Sequence, residues 1–378
     1  MASALRVVTQ LSFIAICTCA LSAATAGEPI DLARGIVPDH PQQPQLAVDA
    51  NGSIHVVFGV EDIIRYCRSD DRSRSFSPPV SLPSVHDMSL GMRRGPRLAV
   101  TEKAVCVTAV GGKQGKGRDG DVLALRSTDG GKSWVEPVLV NDTADSAREG
   151  LHAMSTGPRG ELCCVWLDLR NRKTEVMASV STDGGATWAK NNLVYKSPDG
   201  SVCECCHPSV VHDNSGNIYV MWRNSLAGAR DMYLATSTDG GKTFGQASKL
   251  GAGTWPLKAC PMDGGSIIAI APGKTSSVWR REKSVFLALD GQKEERLLGP
   301  GEQPWIAATL DGPFVIWLAK RGDAAFLLSP QSKSPLKLAT HATDPVLASA
   351  PAGQGPLVAA WESRDGENHT IQFQVIKE

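Results

Sequence analysis

A short motif recurs along the chain at nearly even spacing. Three copies begin at Ser127, Ser181 and Ser237 and share the form Ser-Thr-Asp-Gly-Gly-x-Ser/Thr-Trp/Phe, and a weaker copy begins at Ser69. Their first residues lie 58, 54 and 56 positions apart, a period typical of repeat architectures. Each copy is suited to a tight turn between strands, because Asp can accept backbone N–H groups and the glycines tolerate positive φ. We therefore predict an all-β fold of repeated antiparallel units.

The full repeat contains four strands, with the Asp-containing turn between the third and the fourth. Seven repeat starts are found near Pro44, Pro96, His152, Pro208, Gly265, Pro304 and Pro345. The second strand ends in a tryptophan in five repeats, at Trp166, Trp222, Trp279, Trp317 and Trp361. We interpret these rings as core residues between repeats rather than as a ligand-binding set.

The repeats predict a single closed β-propeller of four-stranded antiparallel blades over residues 27–378. Seven blades follow from the repeat count, and six is the alternative, since residues 260–345 could be divided too finely. The last repeat ends after its third strand, at residues 370–376, so we expect residues 30–36 to supply the missing outer strand. Such closure would remove exposed sheet edges.

The first 26 residues are predicted to be a secretory signal peptide. Arg6 precedes an apolar stretch at residues 11–21, and a small-residue cleavage site follows at Ala24-Thr25-Ala26. We therefore expect a secreted or periplasmic protein, with lipid attachment at Cys17 or Cys19 as the alternative. Lys plus Arg and Asp plus Glu both number 39, so the charge carries no nucleic-acid signature. No later stretch is apolar enough to span a membrane, and we expect a monomer.

Polar residues are concentrated in two sets of loops that should ring one mouth of the channel. These loops enter the inner strands and join second strands to third strands. They contain Arg93, Arg94, Arg97, Glu149, His152, Asp168, Arg170, Arg172, Arg223, Arg230, Asp231, Arg280, Arg281, Glu302, Arg321, Glu362 and Arg364. We select Arg94, Arg170, Arg223, Arg281 and His152 as candidate ligand-binding residues, because arginine matches carboxylates bidentately. The alternative is that the arginines pair with neighbouring acids.

The recurring motif resembles the Asp-box, or bacterial neuraminidase repeat, of sialidases and other β-propellers. In that family the Asp-box is a structural turn, a role that the resemblance gives to Asp71, Asp129, Asp183 and Asp239. The resemblance also implies an acidic carbohydrate or other anionic ligand at the channel mouth. Sialidases of this kind use an Asp as acid and base, a Tyr nucleophile and three arginines.

The match to sialidase chemistry is incomplete. Asp168 and Glu362 suit catalytic carboxylates by position, but residues 91–97 lack the family's Arg-Ile-Pro motif and the last third contains no tyrosine. If the protein is an enzyme, the resemblance implies a sialidase-type glycoside hydrolase. Two classes of function stay open: a glycan-directed hydrolase or lectin-like binder, and a non-catalytic propeller for interaction or for metal and redox handling.

Cysteines form the second unusual feature. Cys203, Cys205 and Cys206 precede His207, and Cys260 begins the corresponding segment of the next repeat. In an oxidising compartment we expect Cys205 or Cys206 to form a disulfide with Cys260. The alternative is a Zn or Cu site formed by the thiolates with His207. No other cofactor is implied.

Overall fold

The structure is a computed structural model that describes residues 27–35, 40–70, 75–115, 117–290 and 294–377. The described residues form β-strands and two short 3-10 turns, at Arg148–Gly150 and Pro351–Gly353. The all-β prediction is confirmed. No helix in these ranges is long and apolar enough to cross a membrane. The proposed signal peptide and Asp71 lie outside the described residues, so export stays a prediction.

The strands follow one another with short connections. The first thirteen are β1 (Ile30–Asp31), β2 (Gln42–Val48), β3 (Ile54–Val60), β4 (Ile63–Ser69), β5 (Val80–Ser81), β6 (Arg97–Val100), β7 (Val105–Gly111), β8 (Asp121–Ser127), β9 (Val138–Leu139), β10 (His152–Thr156), β11 (Leu162–Asp168), β12 (Glu175–Ser181) and β13 (Asn192–Tyr195). The others are β14 (Ser209–His212), β15 (Ile218–Arg223), β16 (Met232–Ser237), β17 (Ser248–Lys249), β18 (Gly265–Ala271), β19 (Lys274–Arg281), β20 (Ser284–Ala288), β21 (Arg296–Pro300), β22 (Glu302–Thr309), β23 (Gly312–Leu318), β24 (Asp323–Leu328), β25 (Leu336–Ser349), β26 (Leu357–Asp365) and β27 (Asn368–Lys377).

Five sheets each contain four antiparallel strands paired in chain order, as the repeat predicts. They are β2–β5, β6–β9, β10–β13, β14–β17 and β18–β21. The remaining strands form one seven-stranded sheet in the order β1-β27-β26-β25-β24-β23-β22. The propeller of four-stranded antiparallel blades is therefore confirmed, whereas the count of seven separate blades, like the alternative of six, is wrong.

Strand β25 is the reason for this difference. Its first half pairs with β24, where Leu336 lies opposite Leu327, and its second half pairs with β26, where Val346 lies opposite Ala360. The backbone adopts positive φ at His341 and at Asp344, which lies between the two halves of the strand. The chain therefore passes from one repeat to the next without leaving the sheet. No Asp-box motif occurs in this segment to separate two strands.

The N-terminal strand lies at the edge of the seven-stranded sheet. Ile30 of β1 pairs with Phe373 of β27, which is the pairing expected for the last repeat. Leu32 and Phe373 share one apolar cluster with Val56 and Phe58 of the first four-stranded sheet. The two ends of the described chain thus pack against each other.

Second strands form the centre of the core. Every residue of β3, β7 and β11 is buried, because neighbouring sheets cover both faces of these strands. The five repeat tryptophans are between 0% and 3% exposed. Their interpretation as core residues is confirmed.

The three fully described Asp-boxes form the same turn. In the second of them, Asp183 accepts hydrogen bonds from Thr187 N at 2.9 Å, Thr187 Oγ1 at 2.6 Å and Ser181 Oγ at 2.8 Å. Gly185, at a φ of 88°, donates its N–H to Ser181 Oγ at 2.9 Å. Asp129 and Asp239 make equivalent contacts. Each carboxylate accepts hydrogen bonds from its own turn, which agrees with a structural role.

We expect Asp183→Ala to lower the free energy of unfolding by about 1–3 kcal/mol, because the turn loses its acceptor. Urea denaturation of wild type and variant measures this difference. The control is Asp365→Ala, at an exposed position in the turn between β26 and β27, which should change stability little. Equal effects of the two substitutions would contradict a special role for the Asp-box carboxylate.

The same turns predict sensitivity to acid. Burial acts to raise the pKa of Asp183, but hydrogen bonds from Thr187 and Ser181 outweigh it and lower this pKa from 3.8 to about 2. Since the folded state holds its protons less tightly, the stabilisation is complete above the unfolded value and is lost as pH falls towards 2. We expect the melting temperature to fall over this interval, and to fall less in Asp183→Asn. Identical pH profiles would contradict the linkage.

Candidate functional site

Inner-strand entries and second-to-third-strand loops lie at the same end of each sheet. In the third sheet, His152 at the start of β10 pairs with Trp166, and Asp168 at the end of β11 pairs with Glu175. The Asp-box turn begins at Ser181, at the opposite end of that sheet. We call the first end the channel face. The predicted site residues lie there, and the Asp-boxes lie on the opposite face.

Asp168 is fully buried and fully hydrogen-bonded. Its carboxylate accepts bonds from Ser146 Oγ and Trp166 Nε1 at 2.8 Å, and from the backbone N, Nε and Nη2 of Arg170 at 2.9 Å. Arg170 also donates to Asp142 at 2.7 Å. The two predicted site residues thus form an internal ion pair that fixes the loop after β11 and leaves the Asp168 carboxylate without access to solvent.

Glu362 on β26 is also buried within its own network. Its Oε1 accepts bonds from the backbone N and Nε2 of Gln43, at 2.8 and 3.1 Å, and its Oε2 from Thr343 Oγ1 at 2.7 Å and Arg364 Nη2 at 2.8 Å. Glu362 and Asp168 belong to different sheets and have no hydrogen-bond partner in common. The assignment of the two residues as catalytic carboxylates stays a prediction.

Like Arg170, two further selected arginines are paired with acids. Arg94 donates from Nη2 to Glu149 Oε2 at 2.9 Å and from Nε to the Glu149 carbonyl. Arg281 lies 2.5 Å from Glu295 and stacks over the Phe286 ring at 3.9 Å. The alternative that arginines pair with nearby acids describes both.

Arg223 is buried and bound to the backbone. Its guanidinium donates to the carbonyl oxygens of Asp263 at 3.0 Å, Arg230 at 2.7 Å and Arg280 at 2.8 Å, and lies over the Trp255 ring. Three successive loops are tied together by this one side chain. Arg223 is therefore a structural centre of the channel face.

His152 is fully buried, and its Nε2 lies 3.1 Å from Thr108 Oγ1. Burial and the nearby Arg97 guanidinium lower the pKa of His152 to about 3, so its imidazole is neutral. His152 is the first residue of the inner strand β10 and has no accessible surface.

A second buried network joins the loops entering the last inner strands. Arg93 donates to the carbonyls of Pro345 at 2.9 Å and Gln303 at 2.8 Å, and lies over the Trp305 ring. Gln303 and Asp344 bond each other reciprocally at 3.0 Å. Strand entries that are distant in sequence are thereby held in register.

Three other arginines are only partly buried and lie on three successive repeats. Arg280, Arg321 and Arg364 have side chains 21%, 25% and 35% exposed. Arg280 Nη1 donates to Glu302 at 2.9 Å, and the other oxygen of Glu302 accepts the backbone N–H of Arg321 at 2.6 Å. Arg321 Nη1 lies 2.7 Å from Asp344, and Arg364 is held by Glu362 as described. We call Arg280, Arg321 and Arg364 the arginine arc.

The arginine arc was within the wider set of channel-mouth residues but not among those selected from the sequence. Each arc residue follows a repeat tryptophan by one to four positions, after Trp279, Trp317 and Trp361. An arginine shortly after a repeat tryptophan is the signal that could have identified them. Their partial exposure could not be predicted from this signal, because Arg223 follows Trp222 directly, as Arg280 follows Trp279, and is buried.

The tyrosines contact residues outside the arginine arc. Tyr66 contacts His55 at 2.8 Å, Tyr219 donates to Asp213 at 2.8 Å, and Tyr195 accepts a bond from Asn224 at 3.0 Å. Tyr233 packs beside Tyr195 and Trp222. Within the described ranges, no tyrosine hydroxyl is hydrogen-bonded to a glutamate.

Cysteine sulfurs meet in a buried group on the channel face. Cys203 Sγ lies 3.8 Å from Cys205 Sγ and 3.6 Å from Cys206 Sγ. The described cysteines are all free thiols, and Cys260 is exposed. The predicted bridge from Cys205 or Cys206 to Cys260 is therefore absent, because the turn at residues 203–206 directs the three sulfurs towards one another.

Residues 99–263 match the family of BNR repeat-like domains. No curated protein matches the sequence. The fold resembles a protein of unknown function from Dyadobacter fermentans (TM-score 0.54, 17% identity, 94% of this chain and 99% of that chain). It also resembles an alpha-L-arabinanase from Penicillium chrysogenum (0.55, 13%, 93% and 98%) and a sialidase from Streptococcus pneumoniae (0.52, 11%, 89% and 68%).

These comparisons show the repeat type and the fold. Residues 99–263, less than half of the chain, match BNR repeats, and the chain has the β-propeller fold that it shares with a sialidase. The resemblance inferred from the Asp-boxes is confirmed. At these identities the structural likeness concerns the fold.

We expect Arg223→Ala to lower the free energy of unfolding by more than about 3 kcal/mol, because three backbone carbonyls lose their donors. Arg148→Ala, at an exposed position on the same face, is the matched control and should cost little. Chemical denaturation measures both. A small effect at Arg223 would contradict its structural role.

Proposed function

We propose that the protein binds an acidic carbohydrate on its channel face, through the arginine arc. The observation that carries this proposal is the partial exposure of Arg280, Arg321 and Arg364 on three successive repeats. A guanidinium has five N–H donors, and the carboxylate partners leave several of them for a ligand. Sugar carboxylates are planar acceptors that such groups bind bidentately.

The acids of this region orient the arginines. Glu302, Asp344 and Glu362 hold the three guanidiniums from beneath, so little side-chain entropy is lost when a ligand binds. Burial and the neighbouring Asp344 raise the pKa of Glu362, while Arg364 opposes this shift. The arc is thus a preorganised group of donors.

The proposal assumes that the sheets close into a ring. Contact between Leu32, Phe373 and the first sheet supports this, as does the pairing of β1 with β27. In such a ring the seven-stranded sheet would lie between the sheet β18–β21 and the sheet β2–β5. The arc would then curve around the channel mouth, where propellers bind ligands.

Carbohydrate is favoured over other anions by the fold. Structures with this fold include a sialidase and an arabinanase, each of which acts on glycans by its name. We propose binding without sialidase-type hydrolysis, since that mechanism needs a tyrosine nucleophile and the four tyrosines are engaged elsewhere. Incubation with a sialoside should release no free sialic acid.

Calorimetric titration with sialyllactose and with galacturonic acid oligomers tests the proposal, with lactose as the neutral reference. At least one acidic sugar should bind and lactose should not. Arg321→Ala should weaken binding by about 1.5–3 kcal/mol, or about ten- to a hundredfold, because a charge-assisted contact is lost.

The matched control is Arg159→Ala. Arg159 is also paired with a glutamate, Glu161, but it is 71% exposed and lies in the β10–β11 turn on the opposite face. Its removal should leave affinity unchanged. Absence of any preference for acidic sugars, or equal losses in both variants, would contradict the proposal.

A further inference from the structure

The turn at residues 203–206 gathers three sulfur atoms into a space the size of a metal site. The Sγ atoms of Cys203, Cys205 and Cys206 all lie within 4.8 Å of one another, and two of the separations are 3.6 and 3.8 Å. All three side chains are buried, at 1%, 6% and 1% exposure. Cysteines that served only as core residues would have no reason to bring their three sulfur atoms together.

These separations match those of sulfur ligands around one ion. With metal–sulfur bonds of about 2.3 Å, sulfurs lie about 3.8 Å apart in tetrahedral coordination and about 4.0 Å apart in trigonal coordination. A disulfide needs a sulfur–sulfur distance of about 2.05 Å and a rotation of at least one side chain. The observed arrangement is closer to a ligand set than to a crosslink.

The backbone of this cluster is held in place by the neighbouring strand β15. The backbone N–H of Cys203 donates to the carbonyl of Arg223, the last residue of that strand, at 3.0 Å. Metals bind cysteine as the thiolate, so each thiol would release its proton when the ion enters.

The potential metal ligands around the cluster are sulfur atoms, which are soft ligands, rather than oxygen atoms, which are hard ligands. Met262 packs against the three cysteines and brings a thioether to them. No His nitrogen or carboxylate oxygen from the described part of the chain joins the group of ligand atoms, although His207 follows Cys206 directly. Structural Zn²⁺ is held by four Cys, His or carboxylate ligands, whereas thiolate and thioether ligands select Cu(I).

We propose that Cys203, Cys205 and Cys206 bind one Cu(I) ion. The ion would sit beneath the channel face, between the loop that enters β14 and the Met262 segment that precedes β18. This site is independent of the arginine arc and of any carbohydrate ligand.

The test uses the chain from residue 27 to residue 378, reduced and handled without oxygen. Cu(I) is supplied as its bicinchoninate complex, and transfer to the protein is followed by loss of the complex's colour. We expect one equivalent to bind and X-ray absorption to report sulfur neighbours alone. Loss of one ligand in Cys206→Ser should weaken binding by more than about a hundredfold, since even changes to residues that only orient metal ligands cost about ten- to a hundredfold.

Cys260→Ser is the matched control, because Cys260 is an exposed thiol outside the cluster. It should retain the full equivalent. Circular dichroism of each variant identifies a failure to fold, and titration of the unaltered chain decides the matter without any variant. The proposal is overturned if Cu(I) stays with bicinchoninate when that chain is added, or if the chain binds Zn²⁺ more tightly than Cu(I). It is also overturned if the protein as purified contains a disulfide bond between two of the three cysteines.

Discussion

In each of five repeats, a tryptophan is buried at the channel-face end of the second strand, and much of the structure depends on this burial. The ring is covered by the neighbouring sheets in five repeats, so the backbone that follows it emerges at a fixed place. Asp168, Arg223 and Arg280 each occur within two residues of such a ring. The buried tryptophans therefore fix the positions at which the polar loops of the channel face begin.

These polar residues fall into two groups that differ in burial. Arg223 and Asp168 are buried and connect loops, as unpaired charges would be costly in the core. Arg280, Arg321 and Arg364 remain partly exposed; Asp344 and Glu362, the partners of the last two, are buried, whereas Glu302, the partner of Arg280, is itself partly exposed. A single arginine-rich face thus contains both a structural framework and a candidate binding surface.

Local sequence predicted the strands, the Asp-box turns and the core tryptophans, because each depends on residues within one repeat. Partners that are distant in sequence could not be predicted. Gln43 hydrogen-bonds Glu362 across 319 positions, and Arg94 meets Glu149 across 55. The same limit explains the cysteines: their convergence depends on the turn at residues 203–206, which spacing alone did not reveal.

The merged final sheet has a similar cause. Residues 336–349 contain no Asp-box and no glycine, so the sequence offers no turn there, and the strand continues through a bulge. The repeat start near Pro345 had suggested a break. A repeat count therefore locates the units but does not establish how their edges join.

The most direct test of this account is a crystal structure of the protein with an acidic oligosaccharide. The account predicts that the sugar carboxylate contacts guanidiniums of the arginine arc, with Arg223 and Asp168 unchanged in their internal bonds. A sugar bound at the Asp-box face, or bound on the channel face without contact to Arg280, Arg321 or Arg364, would contradict it.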